Sequence, residues 1–308
     1  MTAPALCFFS PSGSVQDADA LQRAASFLQE QGYALSYQPH TLAQAQRFAG
    51  DDKARLTDLH SVFESHYDIA IATRGGYGLT RLLPQLDLAY LAAQLLARPK
   101  KIVGHSDLNL LQLALLAQTQ AVTWCGPMAC FDLGATPVNP FMWQQFSQAM
   151  QTGRVNFSFM PTYLEATPVT LAGHYRGRLW GGNLSLLCSL IGTPWLPTIT
   201  DGILFLEEVN EHPYRVERML LQLAQAGILA RQQLILVGQV TAYRLAEFDR
   251  GYDLPTALAR VQAEVAVPII AGFPFGHVYE KTCLPIGGMI DLTIPHATTA
   301  AIEVMATA

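Results

Sequence analysis

Charge is scarce in this chain of 308 residues: 14% are Asp, Glu, Lys or Arg, and 19 basic residues face 24 acidic ones, for a formal net charge of -5. No basic run is long enough to track a phosphate backbone, so nucleic acid is not an expected partner. Long apolar runs are missing too. No stretch approaches the roughly 18 consecutive apolar residues of a membrane span, and Met1 to Ser10 has neither a basic leader nor an apolar core of signal-peptide length. The expected location is therefore the cytoplasm, with no membrane partner. Five cysteines, Cys7, Cys125, Cys130, Cys188 and Cys283, are odd in number and lack CxxC spacing, which fits reduced core thiols rather than a disulfide framework. Eight dispersed histidines form no HExxH or Cys/His ligand set, so no metal and no cofactor is expected. What the chain has in quantity is apolar side chains, 50% of the total, which calls for extensive burial in a folded protein.

The length exceeds one ordinary domain and suggests two of about 130 to 150 residues. Strand-like Ala5–Phe9, Tyr33–Tyr37 and Asp68–Thr73 alternate with helical spacing at Ala18, Leu21, Ala25 and Leu28, and at Leu56, Leu59, Val62 and Phe63. That βαβαβ pattern predicts a parallel sheet covered by helices on both faces. Lys101–Gly104 reads as a further strand before a leucine-rich helix from Leu108, and Val122–Trp124 as another. From Gly126 to about Thr167 the periodicity weakens between Pro127, Pro137, Pro140 and Pro161. Residues 131–167 are accordingly expected to link an N-terminal α/β domain, 1–130, to a smaller α+β domain, 168–308. In the latter, strands are expected at Val169–Tyr175, Ile203–Glu207, Leu234–Thr241, Ile269–Ile270 and Met289–Ile294, with a turn at Gly181-Gly182-Asn183 into a helix through Ile191, and a helix around Val216–Ala226.

Three features could carry chemistry. Gly104-His105-Ser106-Asp107 falls between a strand and a helix, where a serine hydroxyl can stand exposed and the next N–H can help bind an oxyanion. Leu108 replaces the second glycine of the GxSxG elbow, and Ser106 would serve equally as a helix N-cap beside Asp107. Thr73-Arg74-Gly75-Gly76-Tyr77-Gly78 lies at the C-terminal end of the third strand, where open α/β sheets place their crevices. Its glycines suit close approach of a ligand, or simply a turn. Glu207 and His277 also lie at strand ends, and a serine nucleophile needs a base and a group that orients the base.

Taken together, these segments resemble the LD-carboxypeptidase family, the murein tetrapeptide carboxypeptidases, whose relatives include the microcin C immunity hydrolases. The resemblance covers nearly the whole chain. It rests on Ala72-Thr73-Arg74-Gly75-Gly76-Tyr77-Gly78, Gly104-His105-Ser106-Asp107, Trp180-Gly181-Gly182-Asn183-Leu184, Leu206-Glu207-Glu208-Val209, Pro213-Tyr214-Arg215-Val216-Glu217-Arg218, Gly276-His277 and Leu284-Pro285-Ile286-Gly287. It implies a flavodoxin-like N-terminal domain and a triad of Ser106, Glu207 and His277. The family's usual Glu-Asp is here Glu207-Glu208, which keeps Glu208 as a second candidate for the orienting acid. Its usual Gly-Tyr-Ser-Asp carries His105 here, a side chain expected to point away from Ser106. Oxyanion donors are expected from the Asp107 N–H and the Gly75-Gly76 loop, and Arg74 or Arg215 could meet a terminal carboxylate. The implied reaction removes terminal D-Ala from a muropeptide tetrapeptide during cell-wall recycling, by a protein that commonly forms homodimers. Two other readings stand beside it: a hydrolase of peptidyl or aminoacyl nucleotides, and a noncatalytic peptide-binding protein.

Overall fold

A computed structural model describes residues 3–162, 171–295 and 301–308. Its first sheet starts with β1 (Ala5–Phe9), whose unbroken apolar run is buried on both faces, as central parallel strands require. α1 (Ala18–Glu30) follows, its first turn capped by the Asp17 carboxylate accepting from the Ala20 N–H. Next come β2 (Ala34–Tyr37), α2 (Asp52–Glu64), β3 (Ile69–Ala72), the short α3 (Leu79–Leu82), α4 (Leu88–Ala97), β4 (Lys101–Gly104), α5 (Leu108–Thr119) and β5 (Thr123–Cys125). The parallel order is β2-β1-β3-β4-β5, the doubly wound flavodoxin-like arrangement. Strand order reverses between β1 and β3. Ligands bind such sheets at the carboxyl ends beside that reversal, which is where the chain places Ser10–Gly13, Thr73–Gly78 and His105–Asp107.

The stretch expected to be a linker is largely structured. α6 (Pro140–Thr152) is capped by Asn139, with Pro140 in its first turn, and β6 (Arg154–Phe159) alternates exposed and buried residues at one edge of the second sheet. A proline at the first helical position starts a helix rather than breaking one, since the N–H it lacks would have no partner there. The chain continues through β7 (Gly173–Asn183), α7 (Leu184–Ser189), β8 (Gly202–Val209), α8 (Pro213–Gln225), β9 (Gln232–Thr241), α9 (Leu254–Gln262), β10 (Ile269–Ala271), β11 (Leu284–Ile286), β12 (Met289–Ile294) and β13 (Ile302–Thr307). Val169 and Thr170, expected to open the first strand of this half, lie outside the described residues. The second sheet runs β10-β9-β8-β7-β12-β13-β6, parallel from β10 to β7 and antiparallel beyond.

Two features join the halves. β11 pairs antiparallel with β5, so the C-terminal half supplies an edge strand to the first sheet. α5 is buried from Leu108 to Leu116 and packs against β7 and α7, which explains a leucine-rich helix with no solvent face along that stretch. Gly181 and Gly182 are not the expected turn but the end of β7. A Cβ on Gly181 would lie 2.0 Å from the Phe205 carbonyl, and one on Gly182 would lie 2.6 Å from the Asn109 side chain, so only glycine fits between β8 and α5.

Candidate active site

Ser106 stands on the turn between β4 and α5 with φ +59, a left-handed conformation that a non-glycine residue adopts at a cost of about 1 to 3 kcal/mol. It does not cap α5. Asp107 occupies the cap position, and no side-chain cap bond is made there. The strain aims the hydroxyl at the loop after β3: a Cβ added to Gly75 would lie 2.6 Å from both Ser106 Cβ and Oγ, and 3.2 Å from the Asp107 nitrogen. The Gly75 carbonyl is turned away, accepting from the Gly13 N–H over 3.1 Å. Among the described residues the N–H groups of Gly76 and Asp107 donate to no protein acceptor. The Asp107 carboxylate accepts from the Leu79 N–H over 2.9 Å and so ties the elbow to the glycine loop. Burial raises the pKa of this carboxyl above its ordinary value, against the opposing pull of that N–H and of Arg55.

His277 reaches the same cleft from the loop after β10. That loop is pinned to β9 by Phe273 N–H donating to Val237 O over 3.2 Å and Gln239 N–H donating to Phe275 O over 2.8 Å. A Cβ on Gly238 would lie 2.4 Å from the Phe275 carbonyl, so glycine is needed for this approach. The His277 ring donates from Nδ1 to Glu207 Oε2 over 2.8 Å, since an ionised carboxylate can only accept. Nε2 is thereby left as the acceptor. Glu207 is fully buried on β8, and its Oε1 takes a 3.2 Å hydrogen bond from Asn183 Nδ2.

The neighbouring Glu208 does different work. It accepts from Asn183 Nδ2, from the Ser185 N–H at the start of α7 and from its own following N–H at Val209, and makes no bond to His277. Burial raises its pKa above the ordinary value. Of the two acids, the imidazole is met by Glu207.

Ser106, His277, Gly75, Gly76, Arg74 and Phe131 line one cleft of about 420 Å³. No hydrogen bond joins Ser106 Oγ to the His277 ring among the described residues, and such bonds tighten as substrate binds. Arg74 donates from Nη1 to Ser14 O over 3.0 Å. Arg215 does not line this cleft and instead lies exposed beside Glu211, 3.6 Å away. His105 is fully buried and donates from Nδ1 to the Gly126 carbonyl over 2.9 Å. Sequence reasoning missed Phe131, Asp132 and Lys281, which local periodicity does not mark. Among the described residues no group of three or more His, Cys, Asp or Glu could hold a metal, and no helix is long and apolar enough to cross a membrane.

Known proteins share this frame. Residues 7–126 match the LD-carboxypeptidase N-terminal domain and residues 176–292 the LD-carboxypeptidase C-terminal domain. A probable murein peptide carboxypeptidase of Bacillus subtilis is 31% identical over 92% of this chain and 88% of its own length. The microcin C7 self-immunity protein MccF of Escherichia coli is 26% identical over 91% of this chain and 88% of its own. The crystal structure of muramoyltetrapeptide carboxypeptidase from Oxalobacter formigenes superposes with a TM-score of 0.88 at 35% identity, over 99% of both chains. With both domain models matched in order and relatives aligned over nearly the full length, the chain belongs to the LD-carboxypeptidase family.

Proposed function

We propose that the protein is a serine carboxypeptidase that removes terminal D-Ala from muropeptide tetrapeptides, at the bond following an L-configured centre, in cytoplasmic cell-wall recycling. The observation that carries this reading is the strained Ser106 elbow facing the bare backbone of Gly75. A hydroxyl held at that cost against N–H groups is arranged for attack on a carbonyl whose oxygen those groups then receive. His277 Nε2 takes the Ser106 proton as Oγ bonds to the scissile carbonyl carbon. Glu207 accepts from Nδ1–H and stabilises the imidazolium. Collapse breaks the C–N bond, the proton passes to the leaving amine, and D-Ala departs. Water, deprotonated by the same imidazole, then cleaves the acyl ester and restores Ser106. Asp107 and Gly76 supply the oxyanion N–H groups. Arg74 at the cleft wall is the cation for the terminal carboxylate that distinguishes an exopeptidase substrate.

The test is a substrate panel followed by mass spectrometry: a muropeptide tetrapeptide ending in D-Ala, the same peptide ending in L-Ala, and an aminoacyl sulfamoyl adenosine. Release of D-Ala from the first, with little from the second and no cleavage of the third, is expected. An intact tetrapeptide with a cleaved nucleotide analogue would replace the proposal with a nucleotide-directed hydrolase. If none of the three is cut, the chain is a binding protein or acts on another substrate class.

A further inference from the structure

The proposed mechanism leaves a fully buried lysine without a task. Lys281 lies four residues beyond His277 on the same loop, with its Nζ 2.7 Å from Asp132 Oδ1, 3.4 Å from His105 Nε2 and 5.2 Å from the centre of the Phe131 ring. A buried cation is costly to desolvate and persists only where partners satisfy it. These partners come from separate places. His105 immediately precedes the nucleophile. Asp132 belongs to a π-helical turn, Ala129–Leu133, and its Oδ2 accepts from the Met128 N–H over 2.8 Å. That turn carries Phe131, the cleft wall.

The tautomer of His105 follows from its partners. The Gly126 carbonyl can only accept, so Nδ1 bears the hydrogen and Nε2 offers its lone pair to Lys281. Burial, and then the Lys281 charge, hold the ring neutral. It stands edge-on to His277, with centroids 5.0 Å apart and planes at 74°. The titratable groups facing His105 are Lys281, His277 and Asp132, whose Oδ2 is 3.9 Å from Nδ1; those facing His277 are Glu207 and His105. A charged or turned His105 would oppose the positive charge that His277 acquires during the reaction, and would take away the wall against which that ring is set.

We propose that Lys281 is a positioning residue for His277. Paired with Asp132 and donating to His105, it keeps His105 as a fixed neutral wall and ties the His277 loop to both the elbow and the turn that carries Phe131. The inference rests on His277 being the base. Its test compares the full-length parent with K281M/D132N, which removes both buried charges together and leaves neither unpaired. Imidazole ¹⁵N NMR and the kinetics of D-Ala release are the readouts, with circular dichroism to verify folding. In the parent, His105 is expected as a single Nδ1–H tautomer that does not titrate between about pH 5 and 8. In the variant the His105 and His277 signals move, and kcat falls about ten- to a hundredfold with KM little changed. H105N, which keeps a donor to Gly126 but no ring, should lower kcat in the same way. A folded double variant with parental His105 and His277 spectra would overturn the proposal. The spectra decide it even if the tetrapeptide is not the substrate, so its failure is separable from that of the proposed function.

Discussion

Gly75→Ala places one methyl group where the proposed chemistry happens. Its Cβ would lie 2.6 Å from Ser106 Cβ and Oγ, whereas carbon atoms in contact settle at about 3.5 to 4 Å, so roughly 1 Å of displacement is forced. Neither side can give way freely. The Gly75 carbonyl is held by the Gly13 N–H, and Ser106 is fixed between β4 and α5. Overpacking of this kind costs about 1 to 3 kcal/mol of stability. The effect on catalysis is larger, because the methyl also lies 3.2 Å from the Asp107 nitrogen, over the place the oxyanion would occupy. Loss of one oxyanion donor lowers kcat by about 10² to 10³-fold, and that is the fall expected in steady-state release of D-Ala. Urea denaturation of the two single variants and of Gly75→Ala/Ser106→Gly completes the test. Ser106→Gly removes both clashing atoms and relieves the positive φ, so the double variant should be more stable than the sum of the singles by about 1 kcal/mol or more. A folded Gly75→Ala protein with kcat within about threefold of the parent, or a cycle with no coupling, would refute the placement of this loop over the nucleophile.

The two adjacent acids should separate cleanly. Glu207→Gln swaps the acceptor of His277 Nδ1–H for an amide that can impose the wrong tautomer, and kcat should fall about 10⁴-fold with little change in melting temperature. Glu208→Gln should instead show in thermal melting with a much smaller kinetic effect, since that carboxylate binds Asn183, Ser185 and Val209. His105 predicts an acid limb of stability. Its folded pKa lies well below its unfolded value, so in acid the unfolded chain takes up a proton that the native chain refuses. This contribution is fully present above the unfolded pKa of about 6.5 and is lost progressively as pH falls below it, from about pH 7.5 to 5.5. Denaturant titrations at the two pH values should show that loss in the parent but not in His105→Asn.

Much of this was legible where local rules act. The run Ala5–Phe9 and the leucines of α5 read correctly because a buried strand or helix writes its burial into consecutive residues. Ser106 stood out for its strand-to-helix setting, but the competing N-cap reading falls only to a backbone angle, which composition does not encode. α6 was hidden by its own proline, a starter that resembles a breaker until Asn139 is seen to cap the helix. The β12-β13-β6 pairing and the crossing of β11 to the first sheet depend on partners far apart in sequence, which no window of periodicity contains. Choosing between Glu207 and Glu208 needed the direction of each side chain beside Asn183 and His277. The Lys281–Asp132–His105 cluster was out of reach for the same reason: its three residues share no element and meet only in the assembled fold.

The central claim is that Ser106 is the nucleophile, and the direct measurement compares parent and Ser106→Ala proteins at equal concentration on the muropeptide tetrapeptide, following D-Ala by mass spectrometry. The account predicts release by the parent and a loss approaching 10⁶-fold in the variant. A folded variant that keeps more than about one hundredth of the parental rate would contradict it, because a side chain that carries the acyl group cannot be dispensed with at so small a cost.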